Sequence, residues 1–230
     1  MMYPMMGDWT FLLLIPAMLL AVFAQIRVKG AFAKYSEVHA SKGVGAESVA
    51  RMLLDRFNLK DVKIERVRGQ LTDHYDPRSK VLRLSDSVGD SSSIAAIGVA
   101  AHEVGHAIQD GTGYAPLHFR NMMVPVASIG SNSAMALFII GLIMGMGPLM
   151  NLGILLFSGA VLFHIVTLPV EFDASSRALK LLSNTGVLSS REIDGARSVL
   201  NAAALTYVAA TVMAIAQLLR LLILARGRRD

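Results

Sequence analysis

Two histidines stand one helical turn apart in the segment His102-Glu103-Val-Gly-His106, with a glutamate directly after the first. Residues at i and i+4 share one face of a helix, so both imidazoles can reach a single metal ion. Zinc accepts neutral imidazole nitrogens, and Glu103 lies beside this face, where its carboxylate can take a proton from water. The H-E-x-x-H pattern therefore predicts zinc ligands at His102 and His106 and a general base at Glu103.

A catalytic zinc needs a third protein ligand and one position left for water. The extended pattern H-E-x-x-H-x-x-G-x-x-H is not present, because Thr112 stands where a third histidine would be. Glu171 is the predicted third ligand, since it directly follows a long apolar run. Asp173 is the alternative ligand; it could also orient a histidine from behind or pair with Arg177 at i+4. His164 is a further candidate, inside the apolar run.

Arg177 and one predicted strand are assigned from general chemistry. Arg177 is predicted either to stabilise an oxyanion or to form a surface salt bridge. An edge strand just before the H-E-x-x-H helix would bind an extended peptide by backbone pairing, and an ordinary sheet strand would not. The residues predicted to form this strand are Val81, Leu82, Arg83 and Leu84. The preceding segment, 72–79, is rich in turn residues, so His74 and Asp76 are interpreted as turn formers.

The composition is that of a membrane protein. Hydrophobic residues make up 53% of the 230 residues and charged residues 17%, whereas soluble domains carry about a quarter charged residues. There is no cysteine, which excludes disulfides, thiolate ligands and a cysteine nucleophile. The net charge of +5 does not predict nucleic-acid binding, because the basic residues are scattered and mostly flank apolar runs, as is typical beside membrane spans.

Four apolar runs are long enough to cross a bilayer. A cleaved signal peptide is the alternative for the first run, but Met1–Asp8 contains no basic residue and the run is long. An interfacial helix is the alternative for the last run, where Arg220 is expected to extend toward the head groups. Gly147-Pro148 is the predicted turn between the middle two. The predicted transmembrane helices are residues 9–26, 123–146, 149–170 and 202–224.

The two polar segments, 27–120 and 171–201, lie on one side of the membrane if the middle runs form a hairpin. The predicted fold is a mainly α integral membrane protein with about four transmembrane helices and a small α+β zincin-like catalytic domain. An amphipathic helix is predicted over residues 45–58, a strand over 62–67, and a helix from the serines at 91–93 to Asp110. Further helices are predicted from Glu171 and from the capping box at Ser189.

The face of the amphipathic helix is predicted from apolar residues at helical spacing. These residues are Val49, Met52, Leu53 and Phe57.

Four segments together resemble the YugP-type neutral zinc metallopeptidases of bacterial membranes. They are Leu71-Thr-Asp-His-Tyr-Asp-Pro77, Ser93-Ile-Ala-Ala, Ala100-Ala-His-Glu-Val-Gly-His-Ala-Ile-Gln109 and Leu168-Pro-Val-Glu-Phe-Asp-Ala174. The layout is also similar to HtpX and related membrane proteases, in which a helix with a Glu-x-x-x-Asp pattern carries the third ligand. That similarity implies Glu171 as the ligand. This chain departs from the Glu-x-x-x-Asp pattern, because Ser175 stands where the acid would be.

The resemblance implies a zinc-dependent endopeptidase with one Zn²⁺ per chain, acting on unfolded or membrane-adjacent polypeptides. A zinc hydrolase of a non-peptide substrate and a catalytically silent zinc scaffold are the alternatives; the intact Glu103 argues against the scaffold. The expected location is the bacterial cell membrane, with the catalytic domain in the cytoplasm, since basic residues cluster at the span ends on its side. These are Arg27, Lys29, Lys34, Arg120, Arg177 and Lys180, opposed by Arg226, Arg228 and Arg229 in the tail.

Overall fold

The computed structural model describes residues 9–227, with Asn132 by its backbone alone. The segment Met1–Asp8 and the tail residues Arg228 and Arg229 lie outside the described residues. The chain is mostly helical and contains one small sheet. Its elements are a 3₁₀ helix Trp9–Leu14, α1 Ile15–Ser36, α2 Ala46–Arg56, β1 Lys63–Val67, β2 His74–Asp76, β3 Val81–Ser85, α3 Asp86–Gly89, α4 Ile94–Gly111, α5 Ala115–Met144, α6 Gly147–Thr185 and α7 Ser190–Arg226.

The chain divides into two compact units. The first comprises Met1–Gln25, Phe119–Leu168 and Thr206–Asp230, and the second comprises Ile26–His118 and Pro169–Leu205. Helices α1, α6 and α7 each have residues in both units.

Four helices of the described part of the chain are long and apolar enough, by length and composition, to cross a membrane. They are Trp9–Ser36, Ala115–Met144, Gly147–Thr185 and Ser190–Arg226. Helices α5 and α6 approach closely: a Cβ added to Gly130 would lie 2.6 Å from the Leu156 carbonyl oxygen, and one added to Gly153 would lie 2.7 Å from that of Ala134. Such small-residue contacts are typical of helix pairs in membranes.

Two predictions for the first unit are wrong. The turn between α5 and α6 is at Gly145, with φ +71°, whereas Gly147 and Pro148 begin α6. Proline suits a first helical turn, because its missing N–H would have no partner there. Arg220 does not extend outward: it is 8% exposed, and its Nε donates to Thr10 Oγ1 at 3.3 Å.

The second unit is built around α4. Helix α2 packs against it through its buried residues Ala46, Val49, Ala50, Leu53 and Leu54. The predicted apolar face of α2 is therefore partly wrong, because Met52 and Phe57 are exposed. Helix α4 begins as predicted, with the Ser93 hydroxyl accepting from the N–H of Ala96 at 3.2 Å.

The three-stranded sheet has the order β1-β3-β2. Strand β3 pairs in parallel with β1 and antiparallel with β2. The strand predicted at Val81–Leu84 is confirmed, but it is the central strand and not an edge strand, because both of its sides are hydrogen-bonded. Strand β2, His74–Asp76, lies within the segment that was interpreted as turn throughout; that interpretation is wrong for these three residues.

The prediction that a helix begins at Glu171 is wrong. Helix α6 runs without interruption from Gly147 to Thr185. It ends at Thr185, just before Gly186, whose φ is +62°. The capping box of α7 is present: Glu192 Oε2 accepts from the N–H of Ser189 at 2.6 Å. The other Glu192 oxygen accepts from the N–H of Ser41, also at 2.6 Å, which joins α7 to the segment after α1.

Candidate metal centre

Two helices bring the predicted ligands together. Helix α4 carries His102 and His106, and α6 carries Glu171; one ligand atom from each lies within 4.8 Å of the others. Glu171 Oε2 lies 3.3 Å from Nε2 of His102 and 3.6 Å from Nε2 of His106. Glu171 is 3% and His106 is 8% exposed. The three ligand atoms thus form one cluster within the described part of the chain, with His106 and Glu171 buried and His102 partly buried.

Gly105, inside the H-E-x-x-H segment, permits this approach of the two helices. A Cβ at this position would lie 2.6 Å from the carbonyl oxygen of Ala174, which is closer than real contacts. Ala174 is on α6, one turn after the predicted ligand position. The backbones of α4 and α6 therefore approach closely at the point where their functional side chains must meet.

Each histidine has a hydrogen-bonding partner at its second nitrogen. Nδ1 of His102 lies 3.1 Å from the hydroxyl oxygen of Ser175. Nδ1 of His106 lies 2.9 Å from Oε1 of Gln109. Such partners fix the orientation of metal-binding imidazoles and direct the other nitrogen toward the ion. In both histidines that other nitrogen is Nε2, the atom nearest Glu171.

Asp173 and Arg177 are not members of the ligand cluster of the described residues. Asp173 Oδ2 accepts from Nε2 of Gln109 at 2.8 Å and from Nε of Arg177 at 2.5 Å. The predicted i+4 ion pair is therefore confirmed, and Asp173 is connected to His106 through Gln109. The guanidinium of Arg177 also lies 5.6 Å from the ring centre of Tyr114.

Glu103 contacts the edge of the sheet. The N–H of Tyr75, in β2, donates to Glu103 Oε2 at 3.0 Å, and Glu103 is 8% exposed. The Tyr75 hydroxyl donates to Asp110 Oδ2 at 2.9 Å. Burial, followed by this hydrogen bond, raises the pKa of Tyr75 above its usual value. These two bonds, one from the backbone and one from the side-chain hydroxyl of Tyr75, hold β2 against helix α4.

The remaining predicted residues lie elsewhere. His164 belongs to the first unit, where its ring packs against Phe163 with a centroid distance of 5.9 Å. Val81 to Leu84 form the central strand. Sequence reasoning did not assign a role to Gln109, although its spacing of three from His106 places both on one helix face. It noted Ser175 only as a missing acid, although residues at i and i+4 from Glu171 share a face.

The donor set fits a zinc ion. Two imidazole nitrogens and one carboxylate are ligands that zinc accepts, and three protein ligands are typical of catalytic rather than structural sites. The local charge also favours a cation: burial lowers the pKa of His106, but the hydrogen bond to Glu171 and the negative charges of Glu103 and Glu171 raise it, and the net shift is upward.

The chain belongs to a family of zinc metallopeptidases. Residues 10–226 match the family described as "Putative neutral zinc metallopeptidase", and the resemblance inferred from the sequence is confirmed. The chain is 47% identical over 218 residues to the "Putative membrane protease YugP" of Bacillus subtilis (strain 168). The aligned region covers 95% of this chain and 97% of that relative. No solved structure matches the chain.

Proposed function

We propose that the protein is a membrane-embedded endopeptidase with one zinc ion held by His102, His106 and Glu171. The observation that carries the proposal is the buried cluster of these three side chains, on a helix that also presents Glu103. A purely structural site would not need the fourth residue. The family and the relative's name support the peptidase activity.

A zinc ion held by His102, His106 and Glu171 would supply Lewis acidity for the peptide carbonyl and for the attacking water. Glu103 takes the proton from the attacking water and delivers it to the leaving amine. Its Oε2 accepts the Tyr75 N–H, which fixes the orientation of the carboxylate. Oxyanion stabilisation by Arg177 stays a prediction; its Nε donates to Asp173, so the Nη groups would serve.

An extended substrate would bind along β2 rather than β3. Strand β2 ends the sheet order, and Tyr75, its middle residue, directs its N–H away from β3 to Glu103. In an antiparallel pair, alternate residues direct both backbone groups outward, so the Tyr75 carbonyl also points away from β3 and is an acceptor on the outer side of β2. A peptide can add to such an edge by backbone hydrogen bonds, beside the base.

The four apolar helices are proposed to span the membrane, with the second unit in the cytoplasm of a bacterial cell. Large apolar side chains on these helices are exposed, such as Leu19 at 66% and Leu155 at 69%, and lipid would cover them. Substrates would then be unfolded or membrane-adjacent polypeptides.

The test compares wild type with Glu103→Ala and with Glu37→Ala, which changes an exposed glutamate. Zinc content and casein cleavage are measured on protein purified in detergent without chelator. The proposal requires about one zinc per chain in all three, and cleavage by wild type and Glu37→Ala alone. Chelator should abolish cleavage, and added zinc should restore it.

Two results would contradict the proposal. If the wild-type protein is purified without bound metal, the proposed zinc site is wrong. Bound zinc without cleavage of casein or of a mixed peptide library would instead support the silent scaffold, or a hydrolase whose substrate is not a peptide.

A further inference from the structure

Gln109 has no exposed surface, and its amide group forms one hydrogen bond within α4 and two with α6. Oε1 lies 2.9 Å from Nδ1 of His106. Nε2 donates to the carbonyl oxygen of Val170 at 2.8 Å and to Oδ2 of Asp173 at 2.8 Å. Through Gln109, Val170 and Asp173 on α6 are thus connected to His106, the proposed ligand on α4.

The orientation of this amide is determined by its neighbours. The Val170 carbonyl can only accept, and Asp173 is an acceptor because its Oδ2 also receives the Nε–H of Arg177, a group that stays protonated. Rotating the amide would place Oε1 against both of these oxygens and remove two donors from them. Nε2 must therefore face Val170 and Asp173, and Oε1 must face His106.

The protonation of His106 follows from that orientation. Since Oε1 can only accept, Nδ1 of His106 must carry the proton. A neutral imidazole has one N–H and one free lone pair, so the lone pair is at Nε2, the nitrogen nearest Glu171. His102 is under a weaker constraint, because the Ser175 hydroxyl at its Nδ1 can donate or accept.

We propose that Gln109 is the positioning residue of the metal centre, which sets the Nδ1–H tautomer of His106 and holds it opposite Glu171. The inference rests on the proposed zinc site, not on the substrate or the reaction. It assigns Asp173 and Arg177 to the support of Gln109: their charges keep the amide in the one orientation that presents an acceptor to the histidine.

The test measures the dissociation constant of zinc by competition with a chromophoric chelator, using full-length protein in detergent. Gln109→Met keeps the side-chain length and removes all three hydrogen bonds, and it should weaken zinc binding about 10- to 100-fold. Gln70→Met, at an exposed position, is the matched control and should bind as wild type does. Circular dichroism and elution volume of the metal-free proteins show whether each variant is folded.

A paired substitution separates positioning from packing. Gln109→Glu places a second carboxylate against Asp173 and should also weaken zinc binding. Gln109→Glu/Asp173→Asn restores an acceptor for His106 and a donor opposite it, and should recover at least fivefold of the lost affinity, on the scale expected for such supporting groups. Simple filling of space predicts no recovery, because the two substitutions barely change volume.

The outcomes are distinct. A folded Gln109→Met that binds zinc as tightly as wild type overturns the inference, and so does a double variant no better than Gln109→Glu. If Gln109→Met does not fold, the glutamate pair decides. Wild type without zinc would overturn the proposed function together with this inference. Wild type that binds zinc but cleaves nothing would overturn only the peptidase assignment.

Discussion

The hydroxyl oxygen of Ser175 lies 3.1 Å from Nδ1 of His102. Ser175 is on the same helix as Glu171 and follows it by one helical turn. Helix α6 therefore presents the proposed third ligand and a partner of a proposed ligand from one face. At this position, where the Glu-x-x-x-Asp pattern considered in the sequence would predict an acid, the serine gives His102 an uncharged partner.

Substitutions at Ser175 should change zinc affinity in opposite directions. Ser175→Ala removes the partner of His102 Nδ1 and should weaken zinc binding up to about tenfold. Ser175→Asp supplies a charged acceptor, which raises the basicity of the imidazole, and should tighten binding. Affinity is measured by chelator competition, with the same two changes at Ser198, an exposed serine of α7, as the control. Equal affinities for Ser175→Ala and wild type would contradict the assigned contact.

Gly105→Ala should separate α4 from α6. The added methyl would lie 2.6 Å from the Ala174 carbonyl oxygen, and the backbone must move to relieve the clash, at a cost of about 1–3 kcal/mol. Gly98→Ala, on the same helix, is the control, because its methyl would meet the nearest atom, Ala196 Cβ, at 3.4 Å. Thermal unfolding and zinc content are measured for both. The prediction fails if Gly105→Ala matches Gly98→Ala in both quantities.

Tyr75→Phe should destabilise the protein by about 1–2 kcal/mol, since it removes a hydrogen bond to a charged carboxylate. The effect should depend on pH. Burial raises the pKa of Tyr75 in the folded protein, so its stabilisation is complete below the unfolded pKa of about 10 and is lost as the pH rises above that value. The difference in Tm between wild type and variant should be constant from about pH 7 to 9 and shrink at pH 10.5.

Tyr35→Phe is the control for this pH series, because the ring of Tyr35 lies 5.0 Å from Nζ of Lys34 and, among residues 9–227, its hydroxyl is not bonded to a carboxylate. A Tm difference between wild type and Tyr75→Phe that stays the same at all pH values would contradict the role of the Tyr75 hydroxyl.

Local signals in the sequence predicted the helix boundaries that depend on capping. The Ser93 cap and the Glu192 capping box act within a few residues, so their effect can be read directly from the chain. Strand β2 could not be predicted in this way. It is three residues long, its residues have turn chemistry, and its existence depends on pairing with β3.

The residues of the proposed site likewise differ in whether local sequence signals predict them. The two histidines and Glu103 follow from the spacing within one helix. The close approach at Gly105 and the bonds from Gln109 to α6 join residues more than 60 positions apart, and no periodicity reveals them. The uninterrupted course of α6 was missed because the change from apolar to charged residues at Glu171 resembles a helix start, whereas backbone hydrogen bonding continues through it.

The orientation of the proposed membrane protein can be tested because the chain contains no cysteine. Single cysteines are introduced at Met146, which is 44% exposed after α5, and at Gln70 in the polar unit. In right-side-out vesicles, an impermeant maleimide should label Met146→Cys and leave Gln70→Cys unlabelled until detergent is added. The reverse pattern would place the metal centre outside the cell.

The unbroken course of α6 has a consequence for which peptide bonds could be cut. At 1.5 Å per residue, Glu171 lies roughly 36 Å along the helix from Gly147, slightly more than the thickness of a bilayer's hydrocarbon core, which is about 30 Å. The proposed ligand Glu171 follows the apolar part of α6 directly in the same helix, with no loop between them. If that apolar part crosses the membrane, as proposed, the bonds within reach of the site would be those of polypeptide close to the lipid surface, whatever side chains flank them.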